Sequence, residues 1–570
     1  MTMGPPRTED STRILTRHWE RTEDFEPRSG TAARTRWVVR TWGPSRCADA
    51  LVTALLGEDA EVTLVREDVS ADAPVEPGQR HVLLLDEAVP LAELDLGDER
   101  SWAWAHAAAR VRRHVASLPE ARLWIVTRTG LNGPERGAVT RPEQDFVWAL
   151  GRCHAAESPE SWGGLVDVNI DDPRVAGERL ARYLLSGTAE DEVLLNDDGP
   201  SVARLRASLL PPVANGQGIS MERLHLVSGG AMGLSFEIER WLAGRGAERL
   251  LILGRTPLDD DRKRNLRRLE SMGCAVEHEV LDVGDPRSVR RLTARLRGEA
   301  VGGVFHLASH PHVTPATPER TRLLIGAKAN GALLLGELAE ELEAEAMVLF
   351  SSAAATLGSP GQAGYAAANA VLDGVARRLH GGRVRAVSIA WGPVGDVGFG
   401  ATREGADLHE VWERLGLGRL TVGQVLSAVG MALSQDEPNL SVVTWEESAP
   451  GTLPWFRQRP VLEELSAVEP VGLSLEHLAE LEDEQRVQYI VQVIGKHLAA
   501  MLNRAPEDID PDRPLLKLGI DSLIALELLF VIDREFAVRL ELHEVLVDLD
   551  ATLRTTAGKL AERVRFERVS

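Results

Sequence analysis

The sequence predicts an α/β protein made of two doubly wound halves, followed by a small bundle of helices. Three observations carry that reading. Short apolar runs alternate with amphipathic stretches from Thr35 to about Pro211, and the pattern restarts from Gly218. Such alternation implies parallel strands joined by crossover helices. From Ser474 to Ser570 the alternation stops and the chain reads as helices alone. A chain of 570 residues also exceeds what one hydrophobic core supports, so several domains are expected.

In the first half, strands are read at "RWVVRTW", "AEVTLVRE", "HVLLLDE", "RLWIVTRT" and "WGGLVDVNI", with helices at "SWAWAHAAARVRRHVASL" and "EQDFVWALGRCHAAE". The second half follows a nucleotide-binding order more fully. Its strands are "RLHLVSGG", "RLLILGRT", "AVEHEVLDV", "GGVFHLASH", "AMVLFSSAA" and "VRAVSIAWGP". Helices between them include "SFEIERWLAGRG", "RKRNLRRLESMG", "SVRRLTARL", "IGAKANGALLLGELAEEL" and "AGYAAANAVLDGVARRL". The halves read as a degenerate pair, because "LWIVTRTG" and "FVWALGRCHAAE" stand where "VLFSSAAA" and "YAAANAVLDGVA" stand later, without a Gly-rich turn, Tyr or Asn. Between about Ala449 and Leu473 a proline-bearing stretch reads as a domain end and short tether.

Composition narrows the function. A formal charge of -22 leaves no basic excess to neutralise phosphates, which argues against a nucleic-acid binder. Cys47, Cys153 and Cys274 are scattered, which suits a reducing compartment and fits neither a disulfide scaffold nor a clustered zinc site. The N-terminus is charged and no run approaches the ~18 apolar residues of a membrane span. A cytoplasmic protein that is neither secreted nor membrane-spanning is expected; a stand-alone protein and a piece excised from a larger one both fit, with Met1 and the charged C-terminus suiting a complete chain.

"LVSGGAMGLSFEIERWL" follows a strand and opens a helix, so Gly229, Gly230 and Gly233 are candidates for a turn whose amides meet a pyrophosphate. Met232 and Ser235 occupy positions where a full fingerprint has glycine, and they either crowd the pyrophosphate or tighten the loop. Arg255, ending the next strand, can pair with a ribose 2′-phosphate and so select NADPH. Asp282 is a candidate for the adenine amine, or equally a helix cap for "DPRSV".

"FSSAAATLGSPGQAGYAAAN" is more specific. Ser352 ends a strand, Tyr365 begins a helix thirteen residues later, and Asn369 lies one turn on along the same face. A phenol there can give a proton to a carbonyl oxygen that Ser352 also bonds while a hydride arrives from nicotinamide. Its pKa is expected to be lowered by a neighbouring ammonium, and Lys328 is the one lysine within reach. Tyrosine is scarce, three in the chain, which favours a role for Tyr365. His306, His310 and His312 read as solvent-facing loop histidines, and no metal is expected.

At these residues the sequence resembles the ketoreductase domains of modular (type I) polyketide synthases, within the short-chain dehydrogenase/reductase superfamily. The order of Lys328, Ser352, Tyr365 and Asn369, the "AWGP" run and "TPER" carry the resemblance, which extends to "LWIVTR" and "WGGLVDV" in the first half. It implies two Rossmann-like subdomains, a structural one over 13–215 and a catalytic, NADPH-binding one over 216–465. "HLASHPHVTP" lacks the Leu-Asp-Asp signature linked in the family with one alcohol stereochemistry, and Leu357 stands where a Trp marks the other.

Near the C-terminus, Ser522 opens an apolar helix in "LGIDSLIALEL". It reads first as an N-cap, and poorly as a hydrolase nucleophile, since no glycine follows to form an elbow. The stretch resembles an acyl carrier protein, whose Asp-Ser-Leu motif is Asp521, Ser522 and Leu523. The resemblance implies a four-helix-bundle carrier domain over 481–567 after a linker at 466–480. It also implies 4′-phosphopantetheine on Ser522, added by a phosphopantetheinyl transferase. Pro506 to Asp550 holds twelve Asp/Glu against four Lys/Arg, an acidic face suited to basic partner surfaces.

The expected function is reduction of a tethered β-ketoacyl thioester to the β-hydroxyacyl thioester with NADPH. Partners would be polyketide synthase modules or separate ketosynthase and acyltransferase proteins. The alternative is a reductase-like scaffold, impaired in cofactor binding by Met232 and Ser235, that only positions the carrier.

Overall fold

The computed structural model describes residues 12–28, 35–41, 44–66, 76–85, 103–118, 120–128, 141–209, 218–309, 323–395, 397–401, 405, 409, 412, 417–445, 459–465, 483–501, 508–518, 528, 532 and 552–566. They fall into two compact units, one within 1–446 together with Arg459–Leu465, the other within 466–570.

The strands of the first unit are β1 (Thr12–Arg21), β2 (Arg36–Thr41), β3 (Glu61–Arg66), β4 (Gln79–Leu85), β5 (Arg122–Arg128), β6 (Trp162–Asn169), β7 (Glu192–Asn196), β8 (Gly199–Leu209), β9 (Leu224–Ser228), β10 (Arg249–Gly254), β11 (Ala275–Val280), β12 (Val301–His306), β13 (Ala346–Ser352), β14 (Arg385–Trp391), β15 (Leu417–Gly418) and β16 (Asn439–Trp445). Its helices are α1 (Arg46–Gly57), α2 (Ala103–Ala116), α3 (Pro142–Glu157), α4 (Pro173–Ser186), α5 (Gly233–Gly244), α6 (Asp260–Ser271), α7 (Pro286–Leu296), α8 (Gly331–Glu341), α9 (Ala353–Leu357), α10 (Ala363–Leu379) and α11 (Val422–Ala432). A π-helical turn, Ile325–Asn330, leads into α8.

All sixteen strands form one sheet, in the order β11-β10-β9-β12-β13-β14-β16-β1-β8-β7-β6-β5-β4-β2-β3, with β15 on β16. Two parallel halves are joined by β1, which pairs antiparallel with β8 over Arg13–Arg21 and with β16 over Thr12–Leu15. The central strands β12 and β13 are buried on both faces, as parallel strands covered by helices must be, and they read as continuous apolar runs for that reason. Edge strand β11 alternates exposed and half-buried residues instead.

The halves also meet through α3 and α10. Phe146, Trp148, Leu150 and Cys153 of α3 share one core with Ala363, Ala366, Ala367 and Ala370 of α10. The alanine row of α10 has a packing cause. Small side chains let α3 approach, and a Cβ on Gly374 would stand 2.2 Å from an Asp145 carboxylate oxygen.

On α5, Glu239 is fully buried and neither carboxylate oxygen has a hydrogen-bond partner. Burial pushes its carboxyl well above the usual range. The folded chain therefore holds that proton more tightly than the unfolded chain, and stability is lost as pH rises above the ordinary glutamate value. Glu239→Met is expected to stabilise the first unit by about 1–3 kcal/mol at neutral pH, with the gain shrinking toward pH ~4.3. Urea unfolding followed by tryptophan fluorescence reads this out, since all 13 tryptophans precede residue 466. A pH-independent gain would mean that the carboxyl is solvated.

In the second unit, α12 (Asp483–Met501), α13 (Leu515–Leu518) and α14 (Leu553–Phe566) surround a core containing Ile490, Ile494, Leu498, Leu515, Leu528 and Leu560. Arg554 at the start of α14 ties back to Asp512 at 2.6 and 3.0 Å. Ser522 lies outside the described residues. No helix among the described residues is long and apolar enough to cross a membrane.

Candidate active site

The glycine turn begins where β9 ends. Gly229, Gly230 and Gly233 have φ of 117°, 75° and 55°, which side chains rarely adopt. A Cβ on Gly229 would stand 2.3 Å from Ser235 Oγ. Ser235 is buried on the inner side of the turn, and Met232 leans toward Asn265, whose amide donates to its sulfur at 3.6 Å. Neither lines the cleft beside the turn. α5 has no side-chain cap, whereas Asp259 and Asp285 cap α6 and α7. Free amides at an uncapped N-terminus behind a glycine turn fit a pyrophosphate.

Gly229, Gly230, Arg255 and Asp282 line that one cleft, while Gly233 does not and packs toward Gly398. Asp282 accepts from the Gly284 amide at 2.8 Å, and the cap for "DPRSV" is Asp285, three residues on. Sequence reasoning missed two further residues of the cleft, Arg262 and His278. His278 Nε2 is buried without a hydrogen-bond partner, and burial together with Arg262 lowers its pKa. The strand alternation in "AVEHEV" was the available signal for His278, because it sets one face of β11 toward the neighbouring helix layer.

Ser352 is the last residue of β13 and caps α9, its Oγ accepting from the Ala354 amide at 3.3 Å. Tyr365 lies in the first turn of α10, with its phenol beside the Ser352 and Asn369 side chains. Asn369 donates to the Tyr365 carbonyl at 2.9 Å, and its Oδ1 is buried without a partner. That acceptor has no protein group to satisfy it.

Lys328 sits on the π-helical turn, a feature frequent at functional sites. Its ammonium is buried and donates to the Phe350 carbonyl at 2.8 Å. Burial lowers its pKa to about 8, with Asp373 opposing. The phenol of Tyr365 differs from the expected lowering. Burial raises it, Ser352 and Asn369 act against burial, and Lys328 is not among the groups acting on it. The sequence placed an ammonium in reach but could not weigh it against desolvation.

His306 corrects the reading of a solvent-facing loop histidine. It ends β12, is fully buried, and burial followed by Lys328 lowers its pKa to about 3. Ser228 Oγ accepts from the Leu307 and Ala308 amides at 3.1 and 3.2 Å, leaving its proton for His306 Nδ1 at 2.8 Å. His306 Nε2 then donates to the Lys328 carbonyl at 3.1 Å and pins the π-helical turn to the glycine-turn strand. His310 and His312 lie outside the described residues.

Comparison with known proteins places the chain among related ones. The KR domain family model matches residues 224–396, and the phosphopantetheine attachment site model matches residues 492–560. The chain is 31% identical over 474 residues to the pikromycin polyketide synthase component PikAIII of Streptomyces venezuelae, covering 78% of this chain and 29% of that protein. It is 32% identical over 575 residues to component PikAII of the same organism, covering 90% of this chain and 15% of that protein. The chain therefore spans less than a third of either relative. Among solved structures, one titled as A-type ketoreductases from a modular polyketide synthase superposes with a TM-score of 0.67 at 27% identity, covering 81% of this chain and all of that one.

Proposed function

The chain is homologous to modular polyketide synthases and carries a KR domain followed by a phosphopantetheine attachment site, and we propose that it is an NADPH-dependent reductase of β-ketoacyl thioesters held on its own carrier domain. The observation that carries this reading is the convergence of Ser352 and Asn369 on the Tyr365 phenol at the carboxyl edge of the sheet.

When bound, NADPH supplies the hydride for the β-carbon. Tyr365 donates its phenolic proton to the carbonyl oxygen, which becomes the β-hydroxyl, and Ser352 bonds the same oxygen. The free Oδ1 of Asn369 is placed to accept from a water that returns a proton to the phenolate. Lys328 keeps Phe350, two residues before Ser352, in place and carries positive charge below about pH 8. Gly229 and Gly230 would hold the pyrophosphate, with Gly233 shaping the turn behind them, Asp282 the adenine, and Arg255 the 2′-phosphate.

Domain boundaries follow the same reading: a structural half over 13–215, a catalytic half over 216–465, a linker over 466–480 and the carrier over 481–567. Ser522 takes 4′-phosphopantetheine from a separate transferase, and ketosynthase and acyltransferase partners supply the extended chain. A cytoplasmic setting suits Cys47, Cys153 and Cys274, all buried and none in a disulfide.

The test is a fluorescence titration with NADPH, followed by reduction of a small ketone or a β-keto thioester. Arg255→Ser is expected to weaken NADPH binding by about 10-fold or more while leaving NADH affinity near that of the parent. No NADPH binding by the parent chain would sink the reading.

A further inference from the structure

Between Ser352 and Tyr365 the chain runs through α9 and a short loop, whose polar anchors come from α3 of the structural half, from Arg459, and from Ser441, which shares a hydrogen bond with Thr356 at 2.9 Å. α9 has only five residues, so its last carbonyls lack intrahelical partners. Arg152 of α3 donates to the Ala355 carbonyl at 2.8 Å, and Arg459 donates to the Leu357 carbonyl at 3.4 Å. The following loop is held by the same helix. Ser359 donates its amide to Cys153 Sγ at 3.4 Å, and Gly361 donates to Glu157 at 2.9 Å. Gly358, at φ 82°, passes so close that a Cβ would stand 2.5 Å from the Arg152 carbonyl.

The two arginines are themselves locked. Glu192, the first residue of β7, receives Arg152 through Nε at 3.0 Å and Nη2 at 3.1 Å, a bidentate pair. Arg459 bonds both Glu192 and Asp191, the latter at 2.7 Å, and Arg17 of β1 closes on Glu192 from the other side. Arg152, Arg459, Asp191 and Glu192 are all buried. Burial works against the Glu192 carboxylate, yet Arg152, Arg17 and Arg459 together hold it well below the ordinary range. A buried ionic cluster is weak evidence for stability, and this one spends its free donors on two carbonyls of the helix that Ser352 caps.

We propose that Arg152 and Arg459, clamped by Glu192, are positioning residues for the reduction, setting where Ser352 stands relative to Tyr365 by holding the far end of α9. This rests on the ketoreductase reading. Loss of either donor leaves a buried carbonyl unpaired and lets α9 shift, and with it the hydroxyl that meets the substrate oxygen. Leu357, whose position the family links with stereochemistry, moves on the same rigid piece.

The experiment uses the full chain carrying Arg152→Gln, Arg152→Lys or Arg459→Gln, with a prochiral small ketone and NADPH. Turnover is counted per NADPH site titrated by fluorescence, so unfolded protein drops out. Parent turnover comes first, and its absence would overturn the ketoreductase reading itself. Given an active parent, kcat per site is expected to fall about 10- to 100-fold with NADPH affinity unchanged, as for a displacement of about 1 Å at a reacting group. The ratio of the two alcohol enantiomers is expected to shift. Arg152→Lys keeps the charge beside Glu192 but cannot span it and Ala355 together, so it is expected to behave like Arg152→Gln. Unchanged kcat per site and enantiomer ratio in the Arg152 variants, with only a lowered Tm, would overturn the proposal and leave the cluster purely structural.

Discussion

Tyr365→Phe is expected to lower kcat for ketone reduction by about 10²- to 10⁴-fold while NADPH binding stays near that of the parent. The phenol is the one acidic O–H that both Ser352 and Asn369 flank, and removing a single oxygen leaves the packing of α10 intact. NADPH consumption followed by absorbance, beside a fluorescence titration of the same preparation, separates chemistry from binding. Turnover unchanged in the Phe variant would place the proton source elsewhere. The same assay carries a pH signature. Burial lowers the Lys328 pKa to about 8, so its charge is present at lower pH and disappears as pH rises through that value. Because the neutral amine still donates to the Phe350 carbonyl, turnover should change little over that range, whereas Lys328→Met, which loses the donor, should be low and flat across it.

Ser522→Ala is expected to abolish phosphopantetheine loading completely, because on the proposed reading its hydroxyl oxygen forms the phosphodiester. Intact-protein mass spectrometry after incubation with a phosphopantetheinyl transferase and coenzyme A gives the answer as a single mass gain in the parent and none in the variant. Reduction of a free small ketone should be unaffected by the substitution, which separates the carrier from the reductase. A mass gain retained in the alanine variant would move the attachment point away from "GIDSL".

The two predictions differ in how far local sequence supports them. Ser522 was read from a motif of three residues, and the Ser352, Tyr365 and Asn369 spacing from a single strand, loop and helix. Parallel strands such as β9, β10 and β13 were equally plain, because burial on both faces makes them unbroken apolar runs. The strands that escaped were β1, β7, β8, β15 and β16. β1 and β8 carry arginines whose partners are supplied from elsewhere: Arg17 meets Glu192 of β7, and Arg204 meets Glu190, in the loop before β7, at 2.6 Å. Seen alone, "TRILTRHWER" looks like surface; paired with strands from Gly199–Leu209 and Asn439–Trp445, it is the seam that makes two halves one sheet.

By itself, then, the sequence determined the doubly wound order, the glycine turn, the order of the site residues and the attachment motif, since each depends on neighbours a few residues apart. Tertiary structure decided the charge states and the supports. His306 became a buried neutral anchor rather than a loop residue, the cap moved from Asp282 to Asp285, the Tyr365 phenol was raised rather than lowered, and Arg152 turned from a helix residue into a hold on α9. Desolvation set the His306 and Tyr365 outcomes and a hydrogen bond across 203 residues the Arg152 one, neither of which is written in a local stretch of chain, whereas the Asp285 cap is made to amides two and three residues on.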